Sequence, residues 1–530
     1  MTGTWPSVPA LVRSAAAEHP RLEAVVDGDV RLSYPALLAQ VRQFAGAVVA
    51  SGLAPGERVG IWAHNGVEWI VAALGLWHAG CVLVPVNTRF KGREAADILG
   101  RSNVRLLVTV TDFLDTDYVE LLRGAGADLP ALDTIVVAAG TVPDGTESWS
   151  SFVARATIQP VTEADRRATA LGADDPSDIL FTSGTTGRPK GVAQTHGRTL
   201  RVGTDWVAMT GLHAGDRYHM VNPYFHMFGL KAGILASIAA GATMLPQAVF
   251  DVDAVLTRVQ GEKVTVLPGA PTLYQSLLDH PGRAGYDLST LRVAVTGAAD
   301  IPVPLIRRVR EELPFAVVVT GYGLTEAGTA TATAPDDDAS TVATTVGRPR
   351  PGFELRIADD KGEEVAVGVP GEVLLRGGSV MSHYLDDPDA TQAAFSDDGW
   401  FRTGDLGTVD DRGYLRIVGR LKDMFIVGGF NVYPAEVENA LLEHPAVAGV
   451  AVIGMPDRRL GEVGMAFVVV RPGALLDPSD LVEWARGRMA NYKVPRLVEV
   501  VDELPLNATG KVEKQQLRRR VAPTPLGGKA

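Results

Sequence analysis

Three valine-rich runs between residues 264 and 323 each stop in a turn of small residues: Val264-Thr-Val-Leu-Pro-Gly-Ala270, Arg292-Val-Ala-Val-Thr-Gly-Ala-Ala299 and Ala316-Val-Val-Val-Thr-Gly-Tyr-Gly323. Short β-branched runs bounded by Gly and Pro read as buried strands. In a doubly wound sheet, ligands bind beyond the carboxyl ends of the strands. Three strand ends made of Gly and Ala therefore predict a pocket floor that a ligand can approach at backbone distance. Residues 30–86 repeat the alternation of helix and strand. Ser33 caps a predicted helix with Pro35 in its first turn and Leu37, Val41, Phe44, Ala45 and Val48 at helical spacing. A strand at 58–63, an apolar helix at 67–79 and a strand at 81–86 follow. Strands interleaved with helices favour a largely parallel sheet.

From 346 to 419 the texture changes to short strands, at 353–357, 371–376 and 414–418, separated by Asp-Asp-Lys-Gly, Arg-Gly-Gly and Asp-Asp-Arg-Gly turns. That is antiparallel, β-rich material. After Asp423 a compact unit is predicted: a helix opened by Pro434, a strand at 447–453, and a helix started by Asp477 and Pro478 with Leu481, Trp484, Ala485 and Met489 on its apolar face. The expected fold class is α/β. A large N-terminal domain (1–419) of doubly wound mixed sheets carries a β-rich subdomain (346–419), and a small mobile α+β domain (423–530) follows.

Composition narrows the function. Of 530 residues, 46% are hydrophobic and 21% charged, an ordinary globular balance. The formal charge of −12 repels phosphate backbones and anionic lipid, which argues against nucleic-acid or membrane-surface binding. Cys81 is the single cysteine, so neither a disulfide framework nor a thiolate zinc site is available within one chain. No secretory signal is visible at the N-terminus, and the longest apolar run, 70–86, is broken by Gly75, His78, Gly80 and Pro85. A cytoplasmic protein with no stable membrane insertion is expected.

The strongest local signal is Thr182-Ser-Gly-Thr-Thr-Gly-Arg-Pro-Lys-Gly191, directly after the apolar strand end Ile179-Leu-Phe181. Backbone N–H groups and the hydroxyls of Thr182, Ser183, Thr185 and Thr186 suit polyphosphate oxygens, and Lys190 adds positive charge. A Walker loop is excluded because Gly184 and Gly187 are too close together and Lys190 is followed by Gly191. A nucleophile elbow at Ser183 is excluded because Phe181 occupies the place of its first glycine. Gly321-Tyr-Gly-Leu-Thr-Glu326 is not a dinucleotide fingerprint, since Glu326 replaces the last glycine.

Thr182–Gly191 resembles the phosphate loop of the acyl-adenylate-forming superfamily, which includes acyl-CoA synthetases, peptide-synthetase adenylation domains and firefly luciferase. Four further segments match its signatures in order: Gly321 to Glu326, Thr403-Gly-Asp405, Gly419-Arg-Leu-Lys-Asp423 and Asn507-Ala-Thr-Gly-Lys511. The resemblance implies that ATP and a small carboxylic acid meet at the strand ends, with Mg²⁺ on Glu326 and Thr325 on phosphate. It implies that Tyr322 stacks on adenine, that Gly297, Ala298, Ala299 and Gly323 admit the nucleotide, and that Asp405 and Arg420 hold the ribose. Lys511 would bridge the substrate carboxylate and the α-phosphate, with Lys190 offsetting charge beside it. The hinge would span 420–422 and turn at Lys422, and Gly428 and Gly429 would let the pantetheine arm of coenzyme A pass.

The resemblance also places the acyl pocket along Asn222-Pro-Tyr-Phe-His-Met-Phe-Gly-Leu-Lys231, with His226, Phe228, Gly229 and Lys231 toward the acid. No acidic residue lies between Val221 and Ile238, which disfavours an α-amino acid. Lys231 has two readings: a side chain that snorkels to solvent, or a donor to a ketone or second carboxylate of the substrate. Several stretches, among them 267–279 and 422–436, resemble actinobacterial CoA ligases for the bicyclic hydrindane-propanoate remnant of steroid rings. Coenzyme A is the first expected acceptor. An amide-forming ligase that joins the acid to an amino acid is the alternative, and a homodimer remains open.

Overall fold

The computed structural model describes residues 5–182, 189–297, 303–427, 430–507 and 511–521. Among the described residues the chain forms four sheets. One is nine-stranded and runs parallel through Val317–Leu324, Val293–Gly297, Val266–Gly269, Arg217–Met220, Thr243–Pro246 and Glu23–Asp27, with antiparallel strands at both edges. The register pairs Gly269 with Thr296 and Gly297 with Gly321, so the three small-residue ends lie side by side. That is the arrangement the valine runs predicted.

An eight-stranded sheet holds Pro176–Thr182 between Val82–Pro85, which is parallel to it, and Lys190–Thr195, which is antiparallel. Phe353–Ala358, Gly371–Gly377, Phe401–Val409 and Leu415–Arg420 make an antiparallel sheet of their own. The last sheet is built from Phe425–Val427, Phe430–Val432, Gly461–Val470 and Val447–Asp457, with Leu497–Val500 alongside.

Burial explains why the strands are valine-rich. Val293, Val295 and Val319 pack into the main core with helices Tyr34–Ala50 and Val67–His78, while Ala294, Leu267 and Val318 pack into a second core under Pro271–Asp279 and Val303–Glu312. Both faces of the strands are therefore apolar. Because side chains alternate along a strand, Gly297 and Gly321 continue the face that looks toward the first core. Every residue of helix Val67–His78 except Glu68 is buried, as expected for a helix apolar all round. No helix among the described residues is long and apolar enough to cross a membrane.

Two core histidines give the fold a pH dependence. Burial pushes His196 down to about 4 and His219 down to about 3, against about 6.5 in an unfolded chain. Between those values the unfolded state binds more protons, so stability is fully present above the unfolded pKa and is lost as the pH falls. Each should make denaturant stability fall by about 1.4 kcal/mol per pH unit between pH about 6 and its folded value, and buried His226, at about 4, adds the same. His219→Gln should remove one such contribution, and an unchanged slope would remove His219 from the explanation.

Candidate active site

Thr182 pairs directly with Lys190 across two antiparallel strands. The Gly/Thr loop is thus closed at its neck by the residues that begin and end its polar stretch. Ser183, Gly184, Thr185, Thr186 and Gly187 lie outside the described residues. The Lys190 ammonium sits over the Tyr384 ring, 4.7 Å from its centroid, and makes no ion pair among the described residues. The Tyr384 hydroxyl donates to Glu326 Oε1 at 3.0 Å. Burial pushes the Glu326 carboxyl above its ordinary range, and the Tyr384 hydrogen bond opposes that shift. Thr325, partly buried, stands in the turn just before it.

The next station is Asp405, only 5% exposed. Its Oδ2 accepts from the Tyr322 hydroxyl at 2.6 Å, and its Oδ1 lies 3.1 Å from Arg420 Nε. Asp405 and Arg420 face each other in the antiparallel register, so sheet geometry alone brings the carboxylate and the guanidinium together. Tyr322 comes from another hairpin, Val317–Leu324 against Gly328–Ala332 in the nine-stranded sheet. Gly323 is required there, because a Cβ would collide with the Gly328 carbonyl. Ala298 and Ala299 lie outside the described residues, while Gly297 ends its strand partly buried beside Gly321.

His226, Phe228 and Gly229 belong to a short helix that opens onto the same strand ends. The His226 ring Nδ1 accepts from the Phe228 N–H at 3.2 Å, capping the turn. Burial pushes His226 down to about 4, and the nearby charge of Lys511 adds to the effect, so the ring is neutral at pH 7. Phe228 meets Trp206 edge to face at 5.2 Å. A Cβ on Gly229 would strike the Pro223 and Asn222 carbonyls. Asn65 fastens the preceding loop by bonds to the Met220 and Asn222 carbonyls and to the Tyr224 N–H.

Lys231 corrects both readings of it. It neither snorkels nor reaches toward an acid: at 1% exposure it lies in the π-helix Leu230–Leu235 with its ammonium 2.8 Å from Asp178 Oδ1. Asp178, fully buried, also accepts from Ser177 and Thr199 hydroxyls. The partner of Lys231 comes from outside its own segment, on the strand Pro176–Thr182.

Asn507 and Lys511 bond to each other, and residues 508–510 between them lie outside the described residues. Asn507 N–H donates to the Lys511 carbonyl at 2.8 Å, and Lys511 N–H donates to Asn507 Oδ1 at 2.9 Å. Arg89, from the loop after strand Val82–Pro85, reaches the Asn507 carbonyl at 3.3 Å. The small unit is therefore docked with this loop against the large one, and the charge of Lys511 is felt at His226. Lys422 is exposed just past the strand Leu415–Arg420, and Asp423 beside it is held by Arg518 at 3.0 Å. Gly428 and Gly429 lie outside the described residues, between the paired strands Phe425–Val427 and Phe430–Val432.

Lys190, Tyr384 and Glu326 thus form one chain of contacts, Tyr322, Asp405 and Arg420 a second, and the charge of Lys511 reaches His226. Tyr384, Asp178 and Arg89 were not singled out by spacing or composition. Each meets its partner from a distant stretch of chain, Tyr384 with Lys190 and Glu326, Asp178 with Lys231 and Arg89 with Asn507.

The AMP-binding enzyme family matches residues 12–385, and the AMP-binding enzyme C-terminal domain matches residues 436–511. A 3-[(3aS,4S,7aS)-7a-methyl-1,5-dioxo-octahydro-1H-inden-4-yl]propanoyl:CoA ligase of Rhodococcus jostii (strain RHA1) is 49% identical over 98% of this chain and 99% of its own length. The protein of the same name from Mycobacterium tuberculosis is 49% identical over 97% of this chain and 98% of its own. The crystal structure of the anthranilate CoA ligase AuaEII with anthranoyl-AMP superposes with a TM-score of 0.88 at 28% identity, covering 98% of both chains. With two family domains in series along it, the chain belongs to the AMP-binding enzyme family and is a ligase of its acyl-CoA synthetase class.

Proposed function

We propose that the protein activates a bicyclic, steroid-derived propanoic acid of the hydrindane type as its acyl-AMP and transfers the acyl group to coenzyme A, with release of pyrophosphate and then AMP. The observation that carries this reading is the 49% identity, along almost the whole chain, to two ligases named for that acid. In the adenylating step a substrate carboxylate oxygen bonds to the α-phosphorus of ATP while the bond to pyrophosphate breaks. Two anions must meet, so fixed cations lower the barrier. Lys190 faces the phosphates, Lys511 bridges the acid and the α-phosphate, and Thr325 adds a hydroxyl. Asp405 and Arg420 hold the ribose, and Tyr322 packs against the adenine. The neutral His226 with Phe228 and Gly229 walls the acid.

Glu326 fits a divalent cation: its desolvated carboxylate has a single hydroxyl donor, and a cation would offset the cost of its charge. No group of three or more candidate ligands exists among the described residues, which suits Mg²⁺ held by one carboxylate and the substrate's phosphates. When bound, Mg²⁺ neutralises phosphate charge. We assign residues 1–419 to the adenylating domain and 423–530 to a lid that turns about Lys422. After the turn the coenzyme A thiol attacks the acyl carbonyl along a path past Gly428 and Gly429, and AMP leaves.

The test is to incubate the protein with ATP, Mg²⁺ and a panel of bicyclic, aromatic and linear acids, then to offer coenzyme A or amino acids separately. The expected result is AMP and an acyl-CoA thioester, fastest with the bicyclic propanoate. Amides formed with amino acids in place of the thioester would overturn the acceptor, and a preference for linear or aromatic acids would overturn the substrate class.

A further inference from the structure

Tyr384 touches the two oppositely charged groups that any polyphosphate at this loop must engage, and neither its position nor its type is explained by packing alone. It lies on the two-residue strand His383–Tyr384, paired with Lys190–Thr195 at Val192. The segment around it is stitched to both sides. Leu385 N–H donates to the Gly191 carbonyl at 2.7 Å and Ser382 Oγ to the Ala193 carbonyl at 3.1 Å, on the phosphate-loop side. Met381 N–H donates to the Glu326 carbonyl at 2.6 Å and Ser379 Oγ to the Ala327 carbonyl at 2.8 Å, on the other side. One strap thus joins the eight-stranded sheet to the hairpin turn of the nine-stranded sheet.

The side chain completes the bridge. Its ring, 7% exposed, carries the Lys190 ammonium on its face, and its hydroxyl ends on Glu326. A partly buried cation and carboxylate this close to one another gain by pairing directly. Such a pair would occupy both groups and close the site to a triphosphate. The aromatic ring offers each charge a separate seat, a π face for the cation and a charge-assisted hydrogen bond for the anion.

We propose that Tyr384 is a positioning residue that holds Lys190 and Glu326 apart and aimed, until ATP with its divalent cation takes up both. The proposal rests on the adenylating reading. On ATP arrival Lys190 leaves the ring for phosphate oxygens, while Glu326 keeps its hydroxyl partner and presents its other oxygen. Removing only the hydroxyl should therefore impair the metal-dependent part of nucleotide binding, whereas removing the ring should impair the metal-free part as well.

The experiment is calorimetric binding of ATP, without any acid, to wild type, Tyr384→Phe and Tyr384→Leu, each with EDTA and with Mg²⁺. Tyr384→Phe, which preserves shape and packing, should bind metal-free ATP within about two-fold of wild type but lose at least five-fold of the affinity gained from Mg²⁺. Tyr384→Leu should lose at least five-fold in metal-free ATP too. A full Mg²⁺ gain in Tyr384→Phe overturns the proposal, as does an equal loss with and without metal in that variant, the signature of mere loosening. If wild type binds no ATP in either buffer, the adenylating reading itself falls. If wild type binds and the variants match it, only the role of Tyr384 falls.

Discussion

Replacing Lys511 by Ala should abolish the first half-reaction and leave the second nearly intact. Pyrophosphate exchange with the acid present is expected to fall by about 10² to 10³, the usual effect of deleting one group that stabilises transition-state charge. Thioester formation from coenzyme A and supplied acyl-AMP should stay within a few-fold of wild type. The selectivity follows from where the residue sits. Arg89 of the large unit reaches the Asn507 carbonyl and the charge of Lys511 is felt at His226, so a lysine acting in this arrangement would serve one half-reaction and not the other. Wild-type exchange rates in the variant would remove Lys511 from the chemistry. An equal loss in both half-reactions would mean that the residue holds the fold rather than the reacting atoms.

Lys231→Met should unfold the large unit far more easily, by about 3–5 kcal/mol. The substitution keeps the length and apolar stem of the side chain but leaves Asp178 charged, fully buried and supported only by the Ser177 and Thr199 hydroxyls. Adding Asp178→Asn should recover more than half of the loss, because a pair of neutral groups no longer requires a buried countercharge. Urea unfolding followed by tryptophan fluorescence measures both, and Trp77, which donates to the Ser177 carbonyl at 2.7 Å, reports from beside the pair. If the single variant is as stable as wild type, the ammonium does not neutralise Asp178 in solution. The same pair ties the π-helix Leu230–Leu235 to the strand Pro176–Thr182.

Much of this architecture was legible in the sequence, because its signals are local. Valine runs ending in glycine become parallel strands with aligned ends, and Ser33 caps the Tyr34–Ala50 helix as read. The Asp-Asp-Lys-Gly and Asp-Asp-Arg-Gly turns connect antiparallel strands. What stayed hidden depends on contacts between segments far apart in the chain. Lys231 looked anomalous in an apolar stretch because its partner, Asp178, arrives on a strand of the eight-stranded sheet. Tyr384 sits in no unusual composition, and its meaning comes from two charges delivered to it by separate strands. Spacing reports what one segment can do alone, and these residues act in pairs.

Arg420 is the last residue of its strand and is paired with Asp405 in the antiparallel register, while the proposed pivot lies two positions further on. A swing there would exchange the lysine loop for a different face without disturbing the grip on the sugar. The reactive anhydride would then stay tethered by its nucleotide half throughout the change of tools. An unstable intermediate need never be released to water between the making of one bond and the making of the next.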